Sequence, residues 1–160
     1  MSQTLRPSLL AGVTRAVLGD AAFLFCDDAD DAAKLAGRFA EATIAFDAPC
    51  PGRVTLRLPW PLAVEAAANL LGCERDDPDA DQNALPAAAE LLNMISGPAL
   101  EAWFGASAKW ALGVPSTRAY EGTLPTQAPT GELVGFVVDG ARIELEVVET
   151  GASHDSRADR

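Results

Sequence analysis

Histidine is almost absent from this chain: there is one, His154, in a polar C-terminal stretch. Ser-His-Asp and Cys-His catalysis, and metal sites built on imidazole, need a histidine placed inside the fold, so the inventory nearly excludes them. Cysteine is scarce too. Cys26, Cys50 and Cys73 are odd in number, widely spaced and without a CxxC pair, which argues against a disulfide framework and against a zinc site. They read as small buried apolar residues. Basic residues are few: 12 Lys and Arg stand against 23 Asp and Glu, a net charge of −11 with no basic cluster to neutralise phosphates. Nucleic acid is therefore not an expected partner. No apolar run approaches the length of a membrane span. The N-terminal SLLAGVTRAVLG is broken by Arg15 and has no cleavage-like site after it, so the sequence reads as cytoplasmic, without a signal peptide or membrane segment.

What the chain does have is apolar content, 49% of its 160 residues, supplied mainly by Ala, Leu and Val. That is enough for the core of one domain, expected over residues 1–149, with 150–160 as a disordered C-terminal tail lacking apolar content. A helix is expected over 8–25 with Ser8 as its N-cap. The acidic run at Asp27, Asp28, Asp30 and Asp31 lacks the glycine and terminal glutamate of an EF-hand and is read as a loop or helix start. Strands are expected at 41–48 and 53–58, the latter with Val54, Leu56 and Leu58 inward and Thr55 and Arg57 outward. Pro59-Trp60-Pro61 starts a helix to about Gly72, and 74–82 reads as a solvated loop. A strand is expected at 107–114, stopped by Pro115, followed by an exposed loop over 121–131. Asp139-Gly140 is a type I′ hairpin signal between strands at 132–139 and 141–148, with Ile143, Leu145 and Val147 on one side and Glu144 and Glu146 on the other.

The most informative stretch is 86–104, PAAAELLNMISGPALEAWF. Leu91, Ile95, Ala99 and Ala102 share one side of a helical wheel, flanked by Leu92 and Met94. Glu90 and Asn93, three apart and so one turn apart, fall opposite, beside Ser96, Gly97 and Glu101. Asn is a poor helix former, and Gly97-Pro98 weakens the helix further. A helix weakened beside one polar face suggests that the face is kept for something.

Glu90-Leu91-Leu92-Asn93-Met94-Ile95-Ser96-Gly97 closely resembles the signature helix of the CheC/CheX/FliY phosphatases of bacterial chemotaxis, in which an E-x-x-N pair is followed by a short apolar step and often a glycine. The family's later proline has its counterpart in Pro115, and the single motif and chain length look most like the CheX branch. Pro86 departs from the Asp or Ser that often stands four residues before the Glu, and is read as the helix start. The resemblance implies a protein-aspartyl-phosphate phosphatase acting on a phosphorylated CheY-like receiver domain. In that role Asn93 would hold the attacking water, Glu90 would pair with the receiver's active-site lysine, and Ser96, Gly97 and Glu101 would border the docked partner. It implies no cofactor of the chain's own, Mg²⁺ being carried by the receiver, and a homodimer formed at a sheet edge. The alternative is a non-catalytic receiver-binding or scaffold protein of the same fold. The fold class expected is α/β (α+β): a two-layer sandwich with two long helices on a mainly antiparallel sheet and a weak internal duplication. Ungapped overlay of Gly19 on Gly97 puts Gly12 at Glu90 and Arg15 at Asn93, so only the second half carries the pair.

Overall fold

Period-two apolar patterns at 53–58 and 141–148 force two central strands to turn one face toward a helix layer. The computed structural model describes residues 5–28, 35–125 and 131–151. Among them the chain forms α1 (Leu5–Ala22), β1 (Asp27–Asp28), β2 (Ala36–Phe46), β3 (Gly52–Pro59), α2 (Trp60–Leu71), α3 (Pro78–Gln82), α4 (Ala84–Phe104), β4 (Ser116–Thr123), β5 (Glu132–Val138) and β6 (Ala141–Glu149). The strands make one sheet in the order β1-β5-β6-β3-β2-β4, antiparallel at every pair. At its centre Val54 pairs with Val147 and Leu56 with Leu145. Leu10 and Leu18 of α1, Leu62 and Ala66 of α2, and Leu91, Leu92, Ile95 and Leu100 of α4 bury against that face. Each such Leu or Ile contributes about 1.5–3 kcal/mol of burial. The two-layer sandwich is as expected.

The duplication is visible as topology. One half runs α1–β1–β2–β3 and the other α4–β4–β5–β6, and each gives its first strand to the other's hairpin: β1 pairs with β5 and β4 with β2. β3 and β6 meet in the middle.

The sheet's other face is not the open solvent face that alternation suggested. Register aligns Arg118, Glu41, Arg57 and Glu144 across four strands. Glu41 accepts from Arg118 at 2.6 Å and from Arg57 at 2.9 Å, Arg57 reaches Glu146 at 3.3 Å, and Arg142 donates to Glu144 at 2.9 Å. Thr55, Glu144 and Glu146, expected outward, are buried. Their long neighbours lie along the sheet and cover them.

Several boundaries differ from expectation for identifiable reasons. α1 begins by Leu5, so Ser8 lies inside it. It ends at Ala22 because Phe23 adopts φ 54°, closing the helix with Phe23 N–H to Gly19 O and Leu24 N–H to Leu18 O. That motif normally carries glycine, which is why no stop signal stood in the sequence. The 74–82 segment contains α3, capped where Asp77 Oδ1 accepts from Asp79 N–H at 2.9 Å. Residues 107–114 are not a strand: Leu112 makes one isolated bridge to Phe46. The strand lies beyond Pro115, as β4, and extends into the segment read as an exposed loop. An edge strand wet on both faces carries no alternation to read. Asp27 and Asp28 pair with β5, while Asp30, Asp31 and residues 152–160 of the expected tail lie outside the described residues.

Candidate functional site

α4 is helical because Ala and Leu dominate it, and its orientation is fixed by Ala84, Ala87, Ala88, Leu91, Leu92, Ile95, Ala99, Leu100 and Trp103, all buried. The opposite ribbon faces out. Glu90 and Asn93 are both exposed on it, one turn apart, and no hydrogen bond or ion pair engages either side chain among the described residues. Glu101 is exposed two turns on, with half-buried Gly97 between.

Ser96 does not belong to this face. It is fully buried, and its hydroxyl donates back to Leu92 O at 2.6 Å. Ser96 lies three residues beyond Asn93 and so rotates away from Glu90 toward the core; its role is within the helix, where such back-bonding loosens the turn. It has no surface to offer a partner. Met94, read as flanking the core, is instead 41% exposed, on the other side of the pair from Ser96.

Three local features weaken the helix beneath the pair without breaking it. Pro98 has no N–H, so Met94 O lacks its helical donor. Ser96 competes for Leu92 O. Gly97 lowers helix propensity, and a Cβ built there meets nothing within 4 Å, so this chain's own packing does not require glycine. The space above Gly97 is open to an approaching surface. The helix starts at Ala84, two residues before Pro86, which sits in the first turn where its missing N–H breaks no helical bond.

The surroundings supply no nucleophile. Burial pushes the Cys26 thiol up to about 11 against a weaker opposing pull from Arg15. Cys50 and Cys73 are raised too, by desolvation first and by neighbouring carboxylates second. All three are thiols at neutral pH. Among the described residues no group of three His, Cys, Asp or Glu side chains could hold a metal ion, and no helix is long and apolar enough to cross a membrane. Two hollows flank α4. One lies toward α2 and includes Glu90; the other lies toward α1 and includes Pro98 and Glu101. Neither is lined by a Lys or Arg. The hollow toward α2 has no signature in the sequence.

An exposed carboxylate and carboxamide on a convex helix do not enclose a substrate. They can hold a water and a cation at the surface of something that docks.

No curated protein matches the chain at the sequence level. The structure is similar to that of the chemotaxis protein CheX from Desulfovibrio desulfuricans, at TM-score 0.69 and 18% identity, covering 90% of this chain and 98% of that one. It is similar to the chemotaxis protein CheX from Vibrio vulnificus, at TM-score 0.67 and 17% identity over 92% and 99% of the two chains. It also matches a chain of the CheX-CheY-BeF3-Mg²⁺ complex from Borrelia burgdorferi, at TM-score 0.62 and 15% identity over 88% and 95%. At these identities the likeness establishes the fold. Residues 41–134, more than half of the chain and including all of α4, match the family model described as chemotaxis phosphatase CheX. The chain belongs to the CheX family.

Proposed function

We propose that this chain removes the phosphoryl group from the aspartyl phosphate of a CheY-type receiver domain. The observation that carries the reading is the Glu90–Asn93 pair, exposed one turn apart and engaged by nothing else in the described residues. The Borrelia structure of the same fold is a complex with CheY, BeF3 and Mg²⁺.

The chemistry asks little of the chain. An aspartyl phosphate is an activated acyl phosphate, and in this reading the Mg²⁺ that neutralises its oxygens is held by the receiver. Water attacks phosphorus, the new O–P bond forms as the P–O bond to the receiver's aspartate breaks, and the products are inorganic phosphate and a free carboxylate. What remains is to hold that water in line, and positioning alone can be worth several orders of magnitude. Asn93 offers an acceptor and two donors for this. Glu90 supplies the negative charge that meets the receiver's active-site lysine and sets the docking register. Gly97 leaves the surface low beside them, and Glu101 extends the acidic ribbon. The same reading has two copies pairing at a sheet edge, for which β4 offers eight residues, seven of them exposed; sedimentation velocity tests this.

The test is phosphate loss from a phosphorylated receiver with and without the protein. Accelerated decay that vanishes in Asn93→Ala supports the reading. Saturable binding without acceleration would assign the chain to a receiver-binding scaffold instead.

A further inference from the structure

Glu90 belongs to two features at once: the polar pair and the wall of a hollow between α2 and α4. The hollow has a volume of about 160 Å³ and its walls include Leu70, Leu71, Pro86 and Ala87, with Asn83 and Glu90 as its polar members. Cavities of this size take a benzene-sized guest. Leu71 is 52% exposed and Leu70 38% exposed. α2 ends immediately after them at Gly72, in the left-handed conformation with φ 69°, and the chain turns away rather than folding back over the leucines. Residues 74–81 carry Glu74, Asp76, Asp77, Asp79 and Asp81, and their one base, Arg75, lies 3.6 Å from Glu65 of α2. Asp77 caps α3 and Asp81 accepts from Trp60 Nε1 at 2.9 Å, at the other end of α2 from the leucines, before the chain reaches Asn83 in the wall.

We infer that this hollow is the socket for an apolar side chain of the docking receiver, flanked on the receiver by basic residues, and that it selects which receiver binds. The inference rests on the receiver reading above and deepens it. Continuity argues for the occupant: whatever meets Glu90 along its length also covers the hollow, because Glu90 forms part of the wall. Charge argues for its surroundings. Basic residues beside an apolar knob suit Glu90 in the wall of an apolar socket, on a chain of net charge −11, and that arrangement steers encounter as well as register. The pair that acts on the phosphate is small and polar, so discrimination between receivers that share one active-site chemistry must come from the surface beside it. A well-desolvated apolar anchor is the usual source of such discrimination.

The experiment titrates purified CheY-type receivers from the same organism, each charged with Mg²⁺ and beryllofluoride, against wild type, Leu71→Lys, Leu71→Met and Asn93→Ala. Phosphate release by the same four proteins is timed in parallel. Leu71→Lys should weaken binding and raise KM about tenfold with kcat unchanged, Leu71→Met should behave as wild type, and Asn93→Ala should lose kcat while binding normally. Wild-type affinity in Leu71→Lys would overturn the socket and leave the phosphatase reading standing. Binding that weakens in Leu71→Lys, from a wild type that never accelerates phosphate loss, would keep the socket and remove the catalytic reading. No receiver binding by wild type would overturn both. A change in self-association with receiver affinity intact would give the leucines to a second copy of this chain, and would likewise overturn the socket.

Discussion

The two halves of the molecule lay equivalent helices, α1 and α4, on one sheet, but the residues at matching positions are used in opposite ways. Arg15, which overlays Asn93, is turned inward: it pairs with Asp28 on β1, and its guanidinium stands 5.6 Å from the Phe136 ring on β5. Gly19, which overlays Gly97, is buried, and a Cβ added to it would meet the Phe25 ring at 3.7 Å. Gly12, at the place of Glu90, offers no side chain. On α1 the equivalent surface is absorbed in holding β1 and β5 to the helix layer. On α4 the same positions hold nothing in place, and their side chains face outward. Side chains that stabilise no part of their own fold, on a helix weakened beneath them, are free for the docking proposed above.

The contrast between α1 and α4 is sharpest at Asn93. Asn93→Ala should lower the rate of receiver dephosphorylation about 100-fold without changing the urea midpoint, because nothing in the described fold depends on the amide. Next come the charges that hold the halves together. Glu41 receives Arg118 from one half and Arg57 from its own, so Glu41→Gln should cost about 1–3 kcal/mol of stability in urea unfolding and leave phosphate release intact.

The same row of charges predicts two opposite pH trends. Burial acts to raise the Glu41 carboxyl, but the hydrogen bonds from Arg118 and Arg57 outweigh it and hold the group below its ordinary 4.5. Its contribution is therefore present above pH 4.5 and is lost as pH falls through its lower folded value. Burial raises Glu144, only partly opposed by Arg142 and Arg57. Its contribution is full below the unfolded value and is lost as pH rises through the raised one. Stability measured against pH should show an acid-side loss that is absent from Glu41→Gln, and a loss above 4.5 that is absent from Glu144→Gln.

Smaller effects separate the helices themselves. Arg15→Ala should destabilise by about 1 kcal/mol and leave turnover unchanged, the reverse of Asn93→Ala. Gly19→Ala and Gly97→Ala should each add about 0.5–1 kcal/mol through helix propensity, raising Tm by a few degrees. The methyl at position 19 meets Phe25 at ordinary contact distance, and the one at 97 meets nothing. Only Gly97→Ala should weaken receiver docking, because its methyl stands on the surface that the partner approaches.

How much of this was legible depended on whether the signal was local. α4 was readable because a twenty-one-residue helix repeats its apolar stripe many times. The Asp139-Gly140 turn was readable because two successive residues must take positive φ, and they do, at 50° and 76°. β4 was not, because STRAYEGT is an edge strand defined by its neighbour rather than by its own pattern. The burial of Glu144 and Glu146 depends on register across four strands, which no local window contains. In the candidate site, the positions of Glu90 and Asn93 followed from spacing, whereas Ser96 was misplaced by taking the polar face too wide. The hollow beside Glu90 arises where the ends of two helices meet, and only the fold reveals it.

The most direct test follows aspartyl-phosphate decay of one receiver in the presence of wild type, Asn93→Ala and Arg15→Ala under identical conditions. The account predicts rapid decay with wild type and Arg15→Ala, and decay near the receiver's own rate with Asn93→Ala. Equal decay with wild type and Asn93→Ala would contradict it.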